Sequence, residues 1–316
     1  MNMLDTIKDS NFEKLLPQGW DLNKIKTCIS DSPESIFERQ AFWNKGFQAI
    51  SCDNLEEFGA LMGHEIAMQI KSAKKNGHEL ILILPVGPMG MYKWAIYFLK
   101  QWDVDCKHVH GFNMDEWSDK FGNTLPSNDP AAFQNAMVEA FYGPLGALTI
   151  PTSQRHFATR ETLPLYEQEI SKLKKDGAKQ VLIYGVGRMC HIAFWEPHFA
   201  TDYVSEAEWK NATHRIGANL HPLTIEQNAI TSFRSNLTLI PCYANTVGPG
   251  IVFASDYAIG GLDGVLSRGM QWQGLSLWIT LRHGPSPAFP SSYIPTLPGK
   301  MFFLKELAGP LVPDTN

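Results

Sequence analysis

The sequence predicts an α/β protein, a three-layer sandwich of helix over sheet over helix around a mostly parallel, Rossmann-like sheet. Three observations predict it. Short apolar runs such as ELILILP (79–85) stand between turn residues and suit strands buried on both faces. They alternate with stretches of helical periodicity, the pattern of βα units. The 316 residues, 44% hydrophobic and 19% charged, can bury the core of one large domain or two small ones.

The elements follow in order. Residues 1–46 mix charges with Trp20, Trp43 and a Pro33 break, and read as an irregular extension with short helices, packed on a body spanning 47–316. Asn54 can cap a helix and Glu57 completes a capping box. Leu55, Phe58, Met62, Ile66 and Ile70 then recur at helical spacing until Asn76-Gly77, a helix of about five turns. Strands are expected at 79–85, 107–112, 179–187 and 300–306, with helices at 91–102, 129–141 and 161–176 between them. WQGLSLW (272–278) reads as a packed helix, and most of the nine tryptophans as core, with Trp117 and Trp195 set apart because they flank motifs. No repeat or low-complexity linker interrupts the chain.

A net charge of -5, spread along the chain, gives no basic surface for nucleic acid or anionic lipid, so a small polar ligand is the expected partner. Five cysteines without a C-x-x-C pair argue against a disulfide framework and a cysteine zinc site. The acid-bearing N-terminus and the lack of an apolar run near about 20 residues point to the cytoplasm, with no membrane partner. His108 and His110 alternate on a strand but lack a Cys, Asp or Glu companion, so no metal and no cofactor is expected. A homo-oligomer is compatible with the sequence.

Parallel sheets bind ligands at the carboxyl ends of their strands, so the exits carry the functional argument. These are PVGPMG (85–90), FNMDEW (112–117) and GVGRMCHIAFWEP (185–197). In the last, His191 and Glu196 share a tight loop, where a carboxylate can orient an imidazole and stabilise its charged form; a capped surface turn is the equal alternative. Asp115 and Glu116 follow an apolar strand beside Trp117, so one of the two carboxylates could be desolvated into a base while its neighbour stays solvated; a helix N-cap is the competing reading for the aspartate.

The strings FNMDEW and GVG…HIAFWEP resemble the FNMDEY and GVGNDGHIAFNEP signatures of the glucosamine-6-phosphate isomerase/deaminase family, whose fold is related to the 6-phosphogluconolactonases. ANTVGPG (244–250) is similar to the family's ALTVGVG. The likeness spans about residues 50–305 and rests on two spaced motifs, far more specific than a lone glycine fingerprint. It implies that Asp115 abstracts the C2 proton of an amino-sugar phosphate, that His191 handles the ring-oxygen proton, and that Glu196 supports the histidine. It also implies that Gly87, Gly90, Asn113, Gly185, Gly187, Arg188 and Met189 lie at the substrate.

Two positions depart from the family. Arg188-Met189-Cys190 stands where the family has Asn-Asp-Gly, so the aspartate that helps ring opening is a methionine. Val86-Gly87-Pro88-Met89-Gly90 replaces a Thr-Gly-x-Thr-Pro phosphate loop, losing hydroxyl donors and one N–H. Arg188 either supplies a compensating charge or forms a local ion pair; His221, Arg268 and Arg282, near the family's phosphate-binding cations, are left unassigned. The function implied is aldose-ketose isomerisation, with or without ammonia release, of an amino-sugar phosphate or related sugar. The alternatives are a catalytically impaired sugar-phosphate binding or regulatory protein and a lactone hydrolase.

Overall fold

The computed structural model describes residues 2–266 and 270–313. Its strands are β1 (Phe47–Cys52), β2 (Leu80–Leu84), β3 (Val109–Asn113), β4 (Asp115–Ser118), β5 (Arg155–His156), β6 (Lys179–Gly185), β7 (His214–Asn219), β8 (Tyr243–Val247), β9 (Tyr257–Leu262) and β10 (Gly299–Leu304). Its α-helices are α1 (Leu22–Thr27), α2 (Leu55–Asn76), α3 (Gly90–Gln101), α4 (Phe133–Met137), α5 (Tyr166–Lys175), α6 (Glu206–Asn211), α7 (Pro222–Ser232), α8 (Pro249–Val252) and α9 (Gly274–Arg282).

A parallel sheet in the order β1-β10-β9-β6-β2-β3-β5 forms the middle layer, flanked by helices. An antiparallel sheet in the order β4-β8-β7 stands beside it. The sandwich thus has the architecture the apolar runs predict. All five residues of β2 are buried, as a strand covered on both faces requires. The caps of α2 are local: Asn54 accepts the N–H of Glu56 and Glu57, Glu57 accepts the N–H of Asp53, and Gly77 closes the helix at φ +69°. Phe58, Met62, Ile66 and Ile70 form its buried stripe.

Several boundaries differ from expectation. Strands β1 and β9 belong to the main sheet although no run announced them: β1 is an edge strand with a half-exposed pattern, and β9 is diluted by Gly260 and Gly261. Both glycines sit where a Cβ would strike the neighbouring strand's backbone, at Tyr184 and Phe302 respectively. The helix expected at 129–141 begins at Phe133 and continues as a π turn through Tyr142, and that expected at 161–176 begins at Tyr166 after a 3-10 turn. Asp115 caps no helix; it opens β4 and pairs with Thr246 of β8.

Neither carboxylate of the Asp115-Glu116 pair is solvated: Glu116 is 3% exposed, because its carboxylate accepts the N–H of Phe133 and Gln134 and caps α4 from 17 residues away. Trp117 and Trp195 are buried in separate apolar clusters. His108 precedes β3, its Nε2 3.0 Å from the carbonyl of Ile70, while His110 lies 3.3 Å from Glu79, the acidic companion the sequence did not reveal. All five cysteines are free. Among the described residues no group of side chains could hold a metal ion, and no helix is long and apolar enough to cross a membrane.

Candidate active site

The exits of β9, β6, β2 and β3 open into one cleft of about 450 Å³, within the range of small-ligand sites. Pro85 to Met89 line it after β2, Met114 and Asp115 after β3, Gly185 to Gly187 and His191 after β6, and Asp263 to Leu266 after β9. Helix α7 closes one side with Gln227, Asn228 and Thr231.

Asp115 is 7% exposed, and its carboxyl makes no hydrogen bond among the described residues, so its polar contact is with the cleft. Burial, and then the charge of Glu116, hold it well above the usual carboxylate range. Buried Tyr92 and Tyr166 lie close enough for its charge to push their hydroxyls up further, after burial itself.

The loop after β6 folds on itself: Gly187 N–H donates to the His191 carbonyl at 3.1 Å, and Cys190 N–H donates to the Gly187 carbonyl at 2.9 Å. Cys190 and Ala193 take left-handed backbone conformations, φ +59° and +54°. This reversal lays the His191 ring over Gly187, where a Cβ would overlap the imidazole. Nδ1 of His191 lies 3.4 Å from Oε2 of Glu196 and 3.2 Å from Oγ1 of Thr224. The threonine hydroxyl is the aligned hydrogen-bond partner; the carboxylate acts by its charge. Glu196 is wholly buried, and although burial raises its carboxyl, His191 and Thr224 outweigh this and hold it below the usual range.

The other expected site residues divide. Gly87, Gly185 and Gly187 line the cleft, and a Cβ on Gly185 would stand 3.0 Å from the Gly87 carbonyl, so the bare glycine lets the two loops meet. Gly90 starts α3 beneath Gly59 and does not line it. Asn113 sits behind Asp115, its amide nitrogen donating to Tyr142 Oη (3.2 Å) and the His156 carbonyl (2.9 Å). Arg188 forms an ion pair with Glu226, and its N–H donates to Gln227 Oε1 at 2.7 Å, so it ties the loop to α7. Met189 is 2% exposed and does not line the cleft. His221 caps α7, Arg282 pairs with Glu38, and Arg268 lies outside the described residues.

Asp263 and Trp272, after β9, line the cleft and were missed by the sequence reading. Their signal was present in AIGGLDG, an apolar run with an acid at its exit, but masked by the glycines. Burial pushes the Asp263 carboxyl up to about 6. Gln273 holds this exit to that of β6, accepting the N–H of Gly264 and donating to the Val186 carbonyl. From β9 to β3 is three strand spacings, roughly 14 Å across the sheet, and the cleft spans them with Asp263, His191 and Asp115 all in its lining.

Fold and site together define a three-layer α/β protein with a desolvated carboxyl and a histidine-carboxylate pair at the ends of its parallel strands. No family model matches the chain. It is 30% identical over 204 residues to glucosamine-6-phosphate deaminase of Caenorhabditis elegans, covering 63% of this chain and 68% of that protein. It is 29% identical over 214 residues to the Yersinia pestis (strain Pestoides F) enzyme of the same name, covering 64% and 71%. The chain belongs to the glucosamine-6-phosphate deaminase family. Among solved structures it resembles a monomeric glucosamine-6-phosphate deaminase (TM-score 0.67, 20% identity, 83% of this chain and 98% of that one). It also resembles 6-phosphogluconolactonase from Trypanosoma cruzi (TM-score 0.55, 14% identity, 86% and 98%).

Proposed function

We propose that the cleft takes an amino-sugar phosphate or a close relative and interconverts aldose and ketose forms, with loss of ammonia where the substrate carries a 2-amino group. Asp115 removes the proton at C2 and returns it at C1; water then adds at the C2 imine and ammonia leaves. His191, positioned by Glu196 and held by Thr224, passes a proton to the ring oxygen as the sugar opens. The observation carrying this reading is that the desolvated carboxyl of Asp115 and the His191 ring, with Glu196 buried beside it, line one cleft. With Met189 in place of the family's aspartate, ring opening falls to His191 and Glu196.

The test is formation of ammonia and ketose phosphate from glucosamine 6-phosphate and galactosamine 6-phosphate by purified protein. No turnover on a panel of amino-sugar phosphates sinks the reading. Hydrolysis of 6-phosphogluconolactone above its spontaneous rate would replace it with the lactonase alternative.

A further inference from the structure

The N-terminal segment reaches the loop that carries His191 from two directions. On one side, Trp20 stacks on Phe289 with ring centroids 5.0 Å apart and donates its indole N–H to the Ala288 carbonyl at 2.9 Å. Trp20 and Ile25 share an apolar cluster with Cys190, the fully buried residue next to His191. On the other side, the Leu15 carbonyl lies 2.6 Å from Nε2 of His221. A carbonyl only accepts, so Nε2 carries the hydrogen; Nδ1 then keeps its lone pair and accepts the N–H of Leu223 at 3.1 Å, capping α7. The main-chain N–H of His221 donates to Oε1 of Glu196 at 3.3 Å.

Helix α7 in turn holds the loop, through Thr224 to the His191 ring and through Gln227 and Glu226 to Arg188. One histidine therefore joins a segment 206 residues away in sequence to both supports of His191, by its ring to α7 and by its main-chain N–H to Glu196. The geometry points to residues 15–25 as a working part of the active site, with His221 as the positioning residue through which this strap sets Glu196, α7 and the His191 ring. The role of His191 rests on the function proposed above; the strap itself does not.

His221→Asn separates the strap from the cap. Asparagine is a favoured N-cap whose side-chain oxygen can still accept from Leu223, but it is too short to reach Leu15. Trp20→Ala loosens the other contact. In the full chain, hydrogen exchange of residues 187–196 is expected to quicken about tenfold in both variants while residues 80–84 of the sheet stay protected. On whichever amino-sugar phosphate the wild type turns over, kcat should fall about tenfold with KM held within about twofold. The inference is overturned if the loop and the sheet change together, if neither changes, or if the loop loosens and kcat does not. A wild type without turnover would fail the proposed function, and the exchange comparison would still decide the strap.

Discussion

At Asp115 a carboxyl sits against buried aromatic rings with Glu116 behind it, so ionising it costs free energy that water would otherwise supply. Because its folded value is raised, its stabilising contribution is full below the unfolded value of about 3.9 and is lost as pH rises through the folded value. Asp115→Asn should therefore raise the melting temperature at pH 8, by about 2 °C or more, while lowering kcat by roughly 10²-fold or beyond. A calorimetric scan and a rate assay check both halves. Asp263, pushed up to about 6, gains charge between about pH 5 and 7. The affinity for a neutral or amine-bearing sugar should change across that window, and titration calorimetry with Asp263→Asn should show the change abolished. Met189 is buried and does not line the cleft, so Met189→Asp buries a charge rather than restoring a cleft carboxylate. It should cost about 2 kcal/mol or more in denaturant unfolding and leave the rate no higher.

Helices α2 and α3 show how an element is placed. Gly63 of α2 lies against α3, where a Cβ would stand 2.6 Å from the nitrogen of Ala95 and from the carbonyl of Met91. Backbone cannot yield as a flexible side chain can, so Gly63→Ala should force the helices apart and cost about 1–3 kcal/mol, read as a lower denaturant midpoint. The ends of α2 were legible because Asn54, Glu57 and Gly77 lie within a turn of the groups they satisfy. Helix α4 was misplaced because its first N–H groups bond to Glu116, and no local signal records a partner 17 residues away. The loop carrying His191 is intermediate: its glycines, histidine and glutamate are one motif, yet Thr224, the hydroxyl that holds the ring, comes from α7.

Across the molecule, four strand exits meet in one cleft because the sheet order interleaves early and late strands. A ligand bound only there stabilises the folded chain by mass action. At 100 times its dissociation constant, glucosamine 6-phosphate should add about 2.7 kcal/mol, or about 4 °C for a chain of this length. Differential scanning fluorimetry with wild type and Asp115→Asn tests this; a shift in both, with turnover only in the wild type, separates binding from chemistry.

Read alone, the sequence determined the layered α/β architecture, the long helix and its caps, and the two motifs bearing Asp115, His191 and Glu196, because these depend on periodicity and contacts within a few residues. The tertiary structure decided that Glu116 is buried, that Met189 is buried away from the cleft lining while Arg188 pairs with α7, and that Asp263, Trp272, Thr224 and the N-terminal strap attend the site. Those facts rest on which strand lies beside which and on hydrogen bonds spanning up to 206 residues, and no local pattern encodes either.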